Sequence, residues 1–347
     1  MEVDILATLM FARRDSKSES QPWPRLDVDF LGGRLILDVS ARPYVGSLRN
    51  ANVHLNFSSI VLGEANSFPG GLMGPQLAAA EYRIGPHTHA ADLAHVREGA
   101  SLVELVDPPA GCIPALAGKR PRTLRLAFGA NLAAGGALDG LEGIRPKRLE
   151  VHQIQPAAPA VLLPDSDHAI RLALGGALVA EGLTSFQITS EDLSLDPGLS
   201  VLAALQLSQR SAPLSLTLWA PVAAVGGRVR VYKYLGRNGT PLARCVQELT
   251  LERVSVERSS TRDTSSLQTT LSSTPDLQLL RFREADVYLD TVFDVLADFP
   301  VVRKVEFVGG SVRRMSNRFA GWVENNPLRR PQSDHGPIVH IIIFNRT

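Results

Sequence analysis

The sequence predicts a mainly β protein: two β-barrel or sandwich-like domains with one or two short helices. Short runs alternate apolar and polar residues, as in Leu26-Asp27-Val28-Asp29-Phe30, and clusters of Gly, Pro, Asn and Asp separate those runs. Only residues 201–209 and 291–299 have the composition of helices, and many short strands with few helices argue for a barrel or sandwich. With 347 residues, 44% hydrophobic and 20% charged, the chain has enough apolar surface to offset the entropy of ordering, and it is long enough for two domains.

Within the first domain, Leu26–Phe30 and Arg34–Val39 flank Gly32-Gly33, which reads as a hairpin. Residues 51–57 add a strand with Val53, Leu55 and Phe57 on one face, and the Gly- and Pro-rich stretch 66–74 reads as a loop. The breakers Pro108, Pro109, Gly111, Pro114, Gly118 and Pro121 place a boundary there, giving domains at 1–118 and 119–290 and a C-terminal extension, 291–347, packing on the second barrel. Strands are expected at 123–128, 148–154, 169–174, 184–188, 214–219, 228–235, 242–257 and 279–289. Helix 201–209 takes Asp196 as its N-cap. The Ser/Thr-rich stretch 259–274 reads as a mobile loop. After helix 291–299, strands follow at 301–308 and 338–344. The last of these is apolar on both faces and must be covered or paired with another chain.

Charge and cysteine usage exclude several functions. A net charge of +1 supplies no field to attract phosphate backbones, so nucleic acid is not an implied partner. The basic clusters Lys119-Arg120-Pro121-Arg122 and Arg145-Pro146-Lys147-Arg148, with the pairs Arg313-Arg314 and Arg329-Arg330, read as solvated loops or interface rims, because aromatic residues do not interleave with them. The two cysteines, Cys112 and Cys245, sit in no disulfide or zinc pattern. No apolar run approaches the roughly 20 residues of a membrane helix, and residues 5–11 are too short for a signal peptide, so a cytoplasmic location and no membrane partner are expected. Neither a GxSxG nor a Walker-type loop is present, and Asp165-Ser166-Asp167-His168 places adjacent groups that rarely converge on one reacting atom.

The densest chemical candidate is Gly85-Pro86-His87-Thr88-His89-Ala90-Ala91-Asp92, continuing to Gly99. On a strand, His87 and His89 would share a face and could chelate one metal. The segment resembles the first motif of the cupins. That resemblance implies a divalent metal held by His87, His89 and Asp92, although Asp stands where Glu is usual and Pro109-Ala110-Gly111 is followed by Cys112, not by a histidine. The alternative is a solvated loop or helix start, with Ala90, Ala91, Leu93 and Ala94 packing inward.

Residues 184–289 resemble the tube-forming proteins of contractile injection machines, the Hcp tube protein and its phage tail-tube relatives. The similarity rests on Ser185-Phe186-Gln187-Ile188, Leu195-Asp196-Pro197-Gly198-Leu199, the helix 201–209, Leu214-Ser215-Leu216-Thr217-Leu218, Leu249–Val256 and Leu279-Leu280-Arg281-Phe282. It implies a non-enzymatic structural or assembly protein, a β-barrel subunit of a larger complex, whose partners are itself or other protein subunits and which needs no cofactor. A metal-dependent cupin-like enzyme and a capsid or shell-type protein are the alternatives.

Overall fold

The computed structural model describes residues 25–37, 52–63, 73–128, 138–153, 174–179, 182–189, 212–219, 244–256, 267–268, 270–272, 274–296, 298–299, 301–313 and 340–344. The chain divides into two compact units, Met1–Lys147 and Arg148–Thr347.

In the first unit, strands β1 (Leu26–Leu37), β2 (Val53–Leu62), β3 (Leu77–Ile84), β4 (Leu102–Val106) and β5 (Thr123–Phe128) lie side by side in chain order. All of their pairings are parallel. A parallel neighbour requires a crossover in place of a hairpin. Here the crossovers include helix α1 (Ala90–Leu93) and the 3-10 turn Ile113–Leu116. These returns stack on one another: Lys119 Nζ donates to the Ala94 carbonyl at 3.1 Å, and Gly118 N–H to the Gly143 carbonyl at 2.9 Å.

Register then builds the core. Ile60, Tyr82, Val103 and Leu124 stand in one row across β2 to β5, and Leu62, Ile84, Leu105 and Leu126 in the next. None is more than 2% exposed. Tyr82 is tolerated there because its hydroxyl accepts from the Ala79 N–H at 2.9 Å and the Arg97 N–H at 3.3 Å. After β2 the chain turns at Gly63, whose φ is +66°. A Cβ at that position would lie 2.3 Å from Thr88 Oγ1 and 2.4 Å from Thr88 N, so only glycine fits.

The second unit repeats the plan with β6 (Arg148–Gln153), β7 (Ser185–Thr189), β8 (Leu214–Trp219), β9 (Val246–Glu252), β11 (Leu279–Arg283), β13 (Lys304–Val308) and β15 (His340–Phe344). Its pairings are also parallel. Leu149, Phe186, Leu216, Leu249, Leu280 and Val305 form one buried row, and Leu251, Phe282 and Phe307 belong to the next. A second, three-stranded parallel sheet is made of β10 (Ser255–Val256), β12 (Asp286–Tyr288) and β14 (Ser311–Arg313). Each short strand follows its long one through a tight turn with positive φ, at Arg253, Glu284 or Gly309-Gly310. Helix α2 (Leu289–Leu296) then buries Leu289, Val292, Phe293 and Leu296 and leaves Asp294 exposed.

The mainly β expectation therefore stands, while the way the strands pair differs from it. The hairpin at Gly32-Gly33 does not form: β1 runs through both glycines with a bulge between Phe30 and Arg34. The described pairings contain none of the antiparallel ladders on which the barrel or sandwich expectation rested. Both faces of a parallel sheet are ordinarily covered, which makes its strands apolar throughout. Here the described strands bury apolar residues on one face and carry polar ones on the other, so they alternate and mimic antiparallel strands. Strands 123–128, 148–154, 184–188 and 214–219 fall where expected, whereas residue 174 opens the helical turn 174–179 and ends no strand. In the C-terminal part of the expected mobile loop, residues 267–268 and 270–272 are helical, and Leu267, Thr270, Leu271 and Thr274 are at most 2% exposed. Helix 201–209, strand 228–235 and residues 259–266 lie outside the described residues.

Cys112 opens the turn Ile113–Leu116 and is 2% exposed, its Sγ 3.6 Å from the Thr88 carbonyl. Burial, with the Asp92 charge added, pushes its thiol above the usual range. In a Cys245→Ser background we expect Cys112 to resist a maleimide at pH 8 and to react fully once the chain is unfolded. Fast native labelling would contradict this packing.

Candidate functional site

On each sheet the apolar positions of the strand triplets are buried on one face, and the residue at the centre of each apolar-x-apolar triplet lies on the other. In the first unit these are Arg83, Glu104 and Arg125, placed next to one another by the register. Glu104 lies 3.8 Å from Arg83 and 3.5 Å from Arg125, a charge row with alternating signs. Partly exposed pairs of this kind contribute little to stability. Their consequence is an ordered polar surface.

In the second unit the row runs Glu150, Gln187, Thr217, Thr250, Arg281, Glu306, with Ile342 next in register. At strand spacing these seven positions span about 29 Å. Two carboxylates anchor it. Glu150 is 5% exposed and is held by Arg148 at 2.7 Å and approached by His152 at 3.4 Å, while Arg148 also donates to the Gln187 side chain. Toward the opposite edge, Glu306 is 7% exposed and is gripped by Arg281 at 2.6 Å and Lys304 at 2.5 Å. Thr217 and Thr250 lie between these clusters, both buried. The exposed side chains Glu248 and Arg283 flank the row, and Arg283 lies 3.6 Å from Glu252.

Burial alone would push the Glu306 carboxyl up. The hydrogen bonds and charges of Lys304 and Arg281 outweigh that effect and hold its pKa below the usual carboxylate range. A depressed carboxylate adds stability that is present above its unfolded pKa and lost as pH falls through the folded one. We therefore expect denaturant unfolding to show a smaller drop between pH 7 and pH 3 in Glu306→Gln than in the wild type, with Glu306→Gln the less stable at pH 7. An unchanged pH dependence would show that the cluster does not form.

The residues singled out in the sequence fall elsewhere. His87 is exposed in the turn after β3, not on a strand. His89 is the exposed N-cap of α1, with Nδ1 accepting from the Ala91 N–H at 3.2 Å. Asp92 is buried, its Oδ1 accepting from the Met73 N–H at 2.5 Å. Leu93 packs inward beneath them. Among the described residues no group of three or more His, Cys, Asp and Glu side chains is placed to hold a metal. The Asp165–His168 segment lies outside the described residues. A cavity of 240 Å³ between Leu271, Leu277, Phe299 and Val302 offers one carboxylate, Asp298, and the hydroxyls of Ser272 and Thr274. No described helix is long and apolar enough to cross a membrane.

No protein-family model matches the chain, and no curated protein matches it.

Sequence reasoning missed the polar row. The signal was available as a recurring triplet: Tyr82-Arg-Ile84, Val103-Glu-Leu105 and Leu124-Arg-Leu126 recur every 21 residues, and Leu249-Thr-Leu251, Leu280-Arg-Phe282 and Val305-Glu-Phe307 repeat the triplet in the second unit at spacings of 31 and 25. A search for internal periods detects such recurrences before any single element is assigned.

Proposed function

We propose that the chain is a non-enzymatic assembly protein, cytoplasmic, whose polar sheet face docks a protein partner. The observation that carries this reading is the row from Glu150 to Glu306, a polar strip whose charges are positioned by neighbouring strands and which is flanked by the exposed Glu248 and Arg283. Prepositioned side chains cost less entropy on binding than free ones. Alternating charges favour a partner of complementary pattern and disfavour the even negative charge of nucleic acid. Repeats of about 20–29 residues, each a leucine-bearing strand with a short helical or 3-10 return, are the leucine-rich-repeat plan. The first unit resembles it, and stacked repeats of that kind supply extended binding surfaces. This support is an analogy of architecture, and the face itself carries the argument.

The experiment is to recover the tagged full chain from the cells that make it and measure its mass under native conditions. A complex heavier than the purified protein, lost in the Glu248→Lys/Arg283→Glu variant, is the expected result. Recovery at the mass of the purified protein alone would overturn the reading. Electron microscopy of the same sample separates a tail-tube-like ring or tube, or a capsid-like shell, from a discrete complex.

A further inference from the structure

We infer that the returns of the first unit carry an arginine array that takes an extended acidic peptide segment. This holds whether or not the sheet face of the second unit docks a partner.

Two copies of one tripeptide build the array. Arg120-Pro121-Arg122 leads into β5, and Arg145-Pro146-Lys147 closes the following return. Arg145 N–H donates to the Lys119 carbonyl at 3.2 Å, and Gly118 N–H to the Gly143 carbonyl at 2.9 Å. The tripeptides therefore lie side by side, about 5 Å apart at strand spacing. Both prolines are buried, and the four cations beside them are exposed. Proline fixes its own φ and holds the residue before it extended, which positions Arg120 and Arg145 before any ligand arrives.

The charge pattern is the opposite of that on the sheet face. There Glu104 stands between Arg83 and Arg125, whereas on the returns cation stands beside cation. Like charges opposite each other on neighbouring segments destabilise a fold. Among the described residues Arg120, Arg122 and Arg145 form no ion pair, although Glu98 and Glu142 are exposed on the same returns. Lys147 has a contact of its own, so the three arginines carry the site. A bound anion would offset their repulsion.

Spacing and surroundings select the anion. Arg120 and Arg122 are two residues apart on an extended segment, about 6.6 Å, and alternate side chains of an extended peptide repeat at the same distance. Acidic residues at i and i+2 of a ligand would set one carboxylate between Arg120 and Arg145 and the next on Arg122. Guanidinium forks favour such carboxylate pairs. Residues 95–101, 117–122 and 142–147 hold no aromatic side chain on which bases could stack. They also expose no large apolar side chain to enter a bilayer. An acidic protein segment is therefore favoured over nucleic acid and over a lipid surface.

Fluorescence anisotropy of the purified full chain with a labelled peptide of alternating Glu and Ser tests this at low salt. Saturable binding is expected, weakened about tenfold by Arg120→Glu/Arg145→Glu. Arg120→Ala/Arg145→Ala, which adds no new charge, should also weaken it, with the far-UV circular dichroism of both variants unchanged. The control is Arg244→Glu/Arg303→Glu, the same charge change at exposed arginines of the second unit, which should bind as the wild type does. Absence of saturable binding, or an equal loss in the control, would overturn the inference. So would tighter binding of a thymidine oligonucleotide or of phosphatidylserine vesicles than of the peptide.

Discussion

Phe282→Ala is expected to destabilise the second unit by about 3–5 kcal/mol. Phe282 is 1% exposed and stacks on Phe307 with ring centroids 5.3 Å apart and planes inclined by 7°. It also faces buried Leu251 across β9. Parallel neighbours fix the rows on both sides of the ring, so the site cannot collapse to fill the void. The loss therefore combines the transfer term, the cavity and the aromatic pair. Urea unfolding monitored by far-UV circular dichroism would measure it. A loss below about 1 kcal/mol would show that the row is not packed as described.

Gly310→Ala is expected to cost about 2–5 kcal/mol, from backbone strain together with overpacking. Gly310 closes the turn between β13 and β14 at a φ of +75°. A Cβ there would lie 2.3 Å from the Ala285 carbonyl oxygen and 2.5 Å from Ala285 N, and neither backbone atom can move without breaking the β12–β14 pairing. Gly309→Ala is the internal control. Its φ is +68°, but its nearest neighbour is Glu284 Cγ at 3.6 Å, so strain alone applies, at about 1 kcal/mol. Equal losses at the two positions would contradict the close approach of the turns.

What could be read from the sequence depended on the range of the interactions involved. Strands such as Leu124-Arg-Leu126 and Leu216-Thr-Leu218 were legible because one covered face imposes alternation. The direction of pairing was not legible, because alternation usually marks antiparallel sheets and Gly32-Gly33 imitated a hairpin. Strands β3 and β4 escaped notice, since Ala78, Ala79 and Ala80 blur the period in one and the other has only five residues. The candidate chemistry at His87, His89 and Asp92 was a local cluster. The polar row of Glu150 and Glu306 is assembled by register between strands far apart in the chain, which in the sequence shows only as a recurring apolar-x-apolar triplet at uneven spacing.

The most direct test of the docking role is site-specific photo-crosslinking in the protein's own cells, with the probe at the exposed Glu248 beside the polar row or at Asp294 on the exposed side of α2. We predict a discrete crosslinked protein partner from position 248 and none from position 294. The same partner captured equally from both positions, or none from position 248, would contradict the assignment of the polar sheet face as the binding surface.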